Sequence, residues 1–126
     1  MSRRLVAGRR VGDLESEILE VLWSARAWLS GREVQERLGD ESRAYTTVMT
    51  VLGRLVDKAL VERVEEGKGH VYRAAGDPDE LTAQAIRSLL SATAHPRVAL
   101  AHFVDELDDP ELVAELTTAI KRVRQR

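Results

Sequence analysis

Cysteine is absent from the 126 residues, and that absence excludes disulfides, thiolate zinc or copper sites and a cysteine nucleophile together. Long apolar runs are missing too. None approaches the roughly 20 residues a membrane-spanning helix requires, and the opening MSRRLVAGRR has four arginines but no apolar stretch of signal-peptide length. Neither direct membrane insertion nor export is expected, and the expected location is the cytoplasm. No sign of charge dominates: 19 basic and 21 acidic residues leave a net charge of -2 and a pI near 5.9, so bulk charge marks no polyanion-binding surface. The halves differ slightly, residues 1–75 carrying 13 Lys and Arg against 12 Asp and Glu, and residues 76–126 carrying 6 against 9. Histidine is scarce, and His70, His95 and His102 stand apart without triad or metal-ligand spacing, so no catalytic residue, metal or other cofactor is expected.

What is present is helical periodicity with clear stops. Asp13 reads as the N-cap of a first helix whose Leu14, Ile18, Val21, Leu22 and Ala25 form one apolar stripe. Ser30 and Glu33 have the spacing of a capping box ahead of Val34 and Leu38, with Gly39 as the stop of a short second helix. After the polar loop DESR, a third helix runs from about Tyr45 to Ala59. LVERVEEGKGHVYRA then reads as two strands joined by a turn at Gly67-Lys68-Gly69. A domain boundary is expected at about 75, where AGDPDE breaks the pattern and Asp77 caps a fourth helix carrying Leu81, Ala85, Leu89 and Ala92. Two more helices follow, one through Val98, Ala101 and Val104, the other capped at DDPEL with Leu112, Leu116, Ile120 and Val123 on one side. The acidic residues of DELDDPEL serve there as helix starts and lack the alternating spacing of a calcium loop. Three amphipathic helices in residues 76–126 enclose little core of their own, which points to a homodimer through their apolar faces; folding back on the first half as a monomer is the alternative.

The stretch AYTTVMTVLGRL places three threonines inside an aliphatic row, although threonine is a mediocre helix former. On a wheel of about 100° per residue, Val48, Met49, Val51, Leu52, Leu55, Val56 and Ala59 fall on one side. Thr46, Thr47, Thr50, Gly53, Arg54, Asp57 and Lys58 fill the other, with Thr46, Thr50 and Arg54 stacked at i, i+4 and i+8. A helix face of hydroxyls, methyls and one guanidinium suits the major groove of DNA, where hydroxyls meet base edges and methyls meet thymine. Arg54 and Lys58, further along, are suited to phosphates. Helix, helix, recognition helix and hairpin is the order of a winged helix-turn-helix. Lys68, His70 and Arg73 offer contacts from the wing, but Glu65 and Glu66 oppose phosphate there, and a hairpin that only completes the core through Val64, Val71 and Tyr72 explains the strands equally well. Arg3, Arg4, Arg9 and Arg10 read equally as a flexible basic arm or as a solubilising tail. The rival reading of the whole is a winged-helix module for protein interaction without sequence-specific DNA binding; against it, the threonine face carries no aromatic or large apolar anchor.

GDLESEILEVLW, AYTTVMTVLGRLVDKALVERVEEGKGHVYRA and ALAHFVDEL together resemble the penicillinase-repressor family of bacterial transcriptional regulators, the BlaI/MecI/CopY type, over nearly the whole chain. The resemblance implies a homodimeric repressor, linked to antibiotic resistance, with residues 1–75 as a winged helix-turn-helix DNA-binding domain and residues 76–126 as a helical dimerisation domain. It implies double-stranded DNA with a palindromic operator as the partner. Tyr45, Thr46, Thr47 and Thr50 are then the DNA-reading positions, and Arg54 and the wing residues the backbone contacts. The copper-responding branch binds metal through a cysteine-rich tail, which this sequence lacks. In the β-lactam-responding branch a membrane sensor protease cuts at an Asn-Phe pair, which aligns here with His102 and Phe103; the asparagine is replaced, which leaves open another cleavage site or a different inducing pathway, and plain core packing is the competing explanation for Phe103.

Overall fold

The computed structural model describes residues 4–39 and 43–126. Arg3 of the expected arm and residues 40–42 of the DESR loop lie outside the described residues. The elements run β1 (Arg4–Val6), β2 (Arg9–Val11), α1 (Asp13–Ala25), β3 (Leu29–Ser30), α2 (Gly31–Leu38), α3 (Tyr45–Asp57), β4 (Val61–Glu66), β5 (Gly69–Ala74), α4 (Pro78–Ala92), α5 (Pro96–Asp105) and α6 (Pro110–Arg124). Two compact units divide between Ile86 and Arg87, within α4 and beyond the break read at 75.

In the first unit, α1, α2 and α3 close on a three-stranded antiparallel sheet of order β3-β5-β4. The apolar stripes that define the helices supply the core: Ile18, Leu19 and Leu22 from α1, Val34 from α2, Val48, Leu52 and Leu55 from α3, with Leu29, Val61 and Tyr72 from the sheet. Leu81 in the second turn of α4 joins them, and Trp23 Nε1 donates to the Gly76 carbonyl at 2.9 Å. β4 and β5 pair from Val61↔Ala74 to Glu66↔Gly69. Leu29↔Tyr72 ties the two-residue β3 to the same strand.

Several local readings change. The N-cap of α1 is Gly12, not Asp13, because residue 13 is already helical; the Gly12 N–H donates to the Glu15 carboxylate at 3.2 Å. Residues 4–11 are not a free arm but an antiparallel ribbon, Arg4↔Val11 to Val6↔Arg9. Its turn residues Ala7 and Gly8 both have positive φ, 52° and 76°, the twist a two-residue hairpin needs. Val11 anchors the ribbon in the core. Ala59 does not extend the buried side of α3: it sits at φ 61°, while Leu60 N bonds to Leu55 O at 3.0 Å and Ala59 N to Val56 O at 2.9 Å. This double closure ends the helix and buries Leu60 in its place. The Ser30–Glu33 box is formed, Glu33 N to Ser30 Oγ at 3.1 Å and Ser30 N to Glu33 Oε1 at 2.9 Å. Donation from the Ser30 backbone N–H first, and from its hydroxyl second, holds the Glu33 carboxyl below the usual carboxylate range.

The second unit contains the end of α4, then α5 and α6. Asp77 and Glu80 cap α4 reciprocally at 2.8 and 3.1 Å, and Asp109 accepts from the N–H groups of Glu111 and Leu112 to open α6. Neither α5 nor α6 has a buried residue. Val98, Leu100, Phe103, Val104, Leu112, Val113, Ile120 and Val123 are all exposed in the single chain.

Candidate nucleic-acid interface

The outward face of α3 is built by the same periodicity that buries its other side. With Val48, Val51, Leu52 and Leu55 in the core, Thr46, Thr47, Thr50 and Arg54 are turned to solvent. The Thr50 hydroxyl donates to the Thr46 carbonyl at 2.9 Å, which explains how a helix tolerates threonine there: the proton is satisfied one turn back, while the oxygen keeps acceptor capacity and the methyl stays exposed. Tyr45, at the first turn, lies under the Arg32 guanidinium, 4.9 Å from ring centroid to Cζ. The two helices meet there because residue 31 is glycine. A Cβ on Gly31 would collide with Met49 Sδ and sit 3.4 Å from the Tyr45 ring. The stacked Arg32 is a neighbour of Tyr45 that sequence reading missed; no local signal places the first turn of α2 against the first turn of α3.

The other expected contacts divide. Lys68 is at the tip of the β4–β5 hairpin and His70 beside it, both exposed, with Glu65 opposite His70 in register. Arg73 is three residues further and so on the opposite face of the ribbon from His70. It is held there: its Nε donates to Glu62 Oε1 at 3.0 Å, its guanidinium lies 4.4 Å from the centroid of Trp28, and it lines a cavity of about 620 Å³ with Trp23, Arg26, Glu62 and Gly76. Lys58 is engaged as well, its Nζ at 2.6 Å from Glu15 Oε2 and 3.0 Å from the Arg10 carbonyl, both side chains half-buried. Of the core residues assigned to the wing, Val71 and Tyr72 are buried, but Val64, on the edge strand β4, is 45% exposed. The structure thus gathers Thr46, Thr47, Thr50 and Arg54 on one helix face, places Tyr45 beside Arg32 at the first turn on the Met49 side of α3, sets Lys68 and His70 at a hairpin tip, and commits Lys58 and Arg73 to ion pairs. His102 and Phe103 are adjacent in the interior of α5, and Phe103 is 56% exposed rather than packed in a core of the single chain.

Three helices, a short strand between the first two, and a two-stranded wing after the third define a winged helix-turn-helix domain. The chain belongs to the penicillinase repressor family, which matches residues 11–122. It is 37% identical over 106 residues to the transcriptional regulator BlaI of Mycobacterium tuberculosis, across 81% of this chain and 77% of that protein. Among solved structures it is similar to Bacillus licheniformis BlaI, determined as the monomeric form in complex with the blaP half-operator. The identity there is 26% and the TM-score 0.47, covering 57% of this chain and 88% of the other. It is also similar to the ferric uptake regulator of Vibrio cholerae at 29% identity and TM-score 0.48, covering 56% and 57%. Among the described residues no helix is long and apolar enough to cross a membrane.

Proposed function

We propose that this protein is a homodimeric transcriptional repressor that occupies a palindromic DNA operator through α3. The observation that carries the reading is the outward row of Thr46, Thr50 and Arg54, with Thr47 beside it: small hydrogen-bonding groups, exposed on a helix rigidly seated in the core. Major-groove recognition asks for such a face, because small side chains let the backbone approach base edges. Tyr45 and Arg32 continue it at the first turn, and Lys68 and His70 supply wing contacts to the backbone. Lys58 and Arg73, held by Glu15 and Glu62, act as structural residues and not as phosphate contacts.

Residues 1–75 are the DNA-binding domain on this reading and residues 76–126 the dimerisation domain, whose exposed apolar residues on α5 and α6 are covered by a second copy. A dimer sets two copies of α3 about one helical turn, roughly 34 Å, apart along the duplex, so binding demands both half-sites. Repression ends when the dimer is lost. Cutting between His102 and Phe103 by a membrane sensor protease of the β-lactam pathway does this by dividing the dimer-forming helices.

The test compares Thr50→Ala with Arg54→Ala on a duplex enriched from a random pool and on random DNA, by fluorescence anisotropy. Thr50→Ala is expected to weaken the enriched duplex by about 1–3 kcal/mol and to relax preference at one base pair, Arg54→Ala to weaken all duplexes alike. Equal losses on both DNAs for Thr50→Ala contradict base reading. A parent protein with no salt-dependent DNA affinity supports the protein-interaction module instead.

A further inference from the structure

We propose that the β1–β2 hairpin is a second phosphate-binding element, in which Arg9 and Arg10 grip the DNA backbone beyond the end of α3; this rests on the DNA-binding reading above. The family match begins at residue 11, so nearly all of the hairpin lies outside it.

The placement comes from Lys58. The row Thr46, Thr50, Arg54 continues one turn on to Lys58, whose Nζ donates to the Arg10 carbonyl at 3.0 Å and pairs with Glu15 at 2.6 Å. One side chain therefore does two things: it clamps β2 to the end of α3, and it neutralises the Glu15 carboxylate beside it. From residue 46 to residue 58 the row spans about 18 Å, whereas the major groove is about 12 Å wide. A helix that places its threonines in the groove overruns the groove edge at its C-terminal end, where the phosphate ridge runs. The cations at that end are Arg9 and Arg10, both exposed, and they face one exposed carboxylate there, Asp57, the last residue of α3. Among the described residues neither side chain has an ion-pair partner, and no acid precedes Asp13 in the sequence.

The hairpin is held in shape for the task. Alternation along β2 puts Arg10 on the face opposite Val11, which is buried, and beside its register partner Leu5, which is 69% exposed. Arg10 thus points away from the core by the same geometry that anchors the strand, while Arg9, paired with Val6, stands on the other face of the ribbon and is exposed as well, so the two flank the strand. A flexible arm loses conformational freedom on binding DNA; this ribbon, fixed by Val11, by its two-residue turn and by Lys58, loses little.

The experiment measures binding of the intact protein to a random-sequence DNA duplex between about 50 and 200 mM salt, for the parent, Arg9→Gln/Arg10→Gln and Arg9→Lys/Arg10→Lys. Each phosphate contact adds about 0.9 to the slope of log affinity against log salt. The Gln pair is expected to lose nearly two units of slope, so that the parent's affinity falls about tenfold further than the variant's across this range. The Lys pair, which keeps the charges, should hold the parent slope. Parent and Gln pair with the same slope overturn the proposal, as does a Lys pair that loses slope equally, since that marks a merely structural effect. A parent that does not bind the duplex at all fails the DNA-binding reading itself, a result the hairpin variants do not share in producing.

Discussion

The two halves of this chain use the same device, an amphipathic helix with a capped start, and come to opposite ends. Through Leu81 the apolar stripes find one another: α1, α2 and α3 bury theirs against a sheet and against the entry of α4. In α5 and α6 the stripes are as regular in sequence, yet no residue is buried. Helical periodicity alone therefore says that a face is to be covered, not by what. In the first unit the covering surface is built by distant pieces of the same chain, such as Leu29 on Tyr72; in the second, on the proposed reading, it is another copy.

The largest expected effect comes from charging the uncovered face. Leu112→Glu with Ile120→Glu should give a monomer by sedimentation and weaken binding to a duplex with two half-sites by about 10² to 10⁴-fold, with the winged domain still folded by circular dichroism. A persistent dimer would place the interface elsewhere. Leu52→Ala strikes the covered face instead and should destabilise the first unit by about 2–5 kcal/mol in urea unfolding, independently of protein concentration, whereas the effect of Phe103→Ala should grow as the protein is diluted. Lys58→Ala removes a half-buried ion pair and should lower stability by roughly 1 kcal/mol. It is also expected to reduce DNA affinity less than Arg54→Ala does; the reverse order would return Lys58 to the phosphate contacts.

The smallest effect concerns Glu33, whose carboxyl is held low by the Ser30 N–H and hydroxyl. A depressed pKa means that its contribution to stability is complete above the unfolded-state value and is lost as pH falls through the folded-state value. Glu33→Gln should therefore flatten the fall of the thermal midpoint at acid pH and leave it unaltered in shape near neutrality. An acid limb as steep as the parent's would mean that Glu33 is not the group responsible.

The pattern of what was legible follows from sequence distance. The Ser30–Glu33, Asp77–Glu80 and Asp109 caps all act within three residues, and the threonine row needs only the helical period, so both were readable from the chain. The hairpin at 4–11 was not, because strands of three residues show too little alternation and Ala-Gly is a weak turn signal. Lys58 reads as a surface cation until Glu15, 43 residues away, is found beside it. Arg73 looked like a wing contact because a residue's face in a hairpin depends on parity: counting from the tip puts it with Glu62 and Trp28, away from His70.

The central claim, that the threonine face reads DNA as part of a two-fold assembly, is met most directly by selection of the intact protein on a random duplex pool at moderate salt, with sequencing of the retained DNA. The account predicts an enriched sequence with two-fold symmetry, its half-sites about one helical turn apart. Retention without any enriched sequence, or no retention, would contradict it.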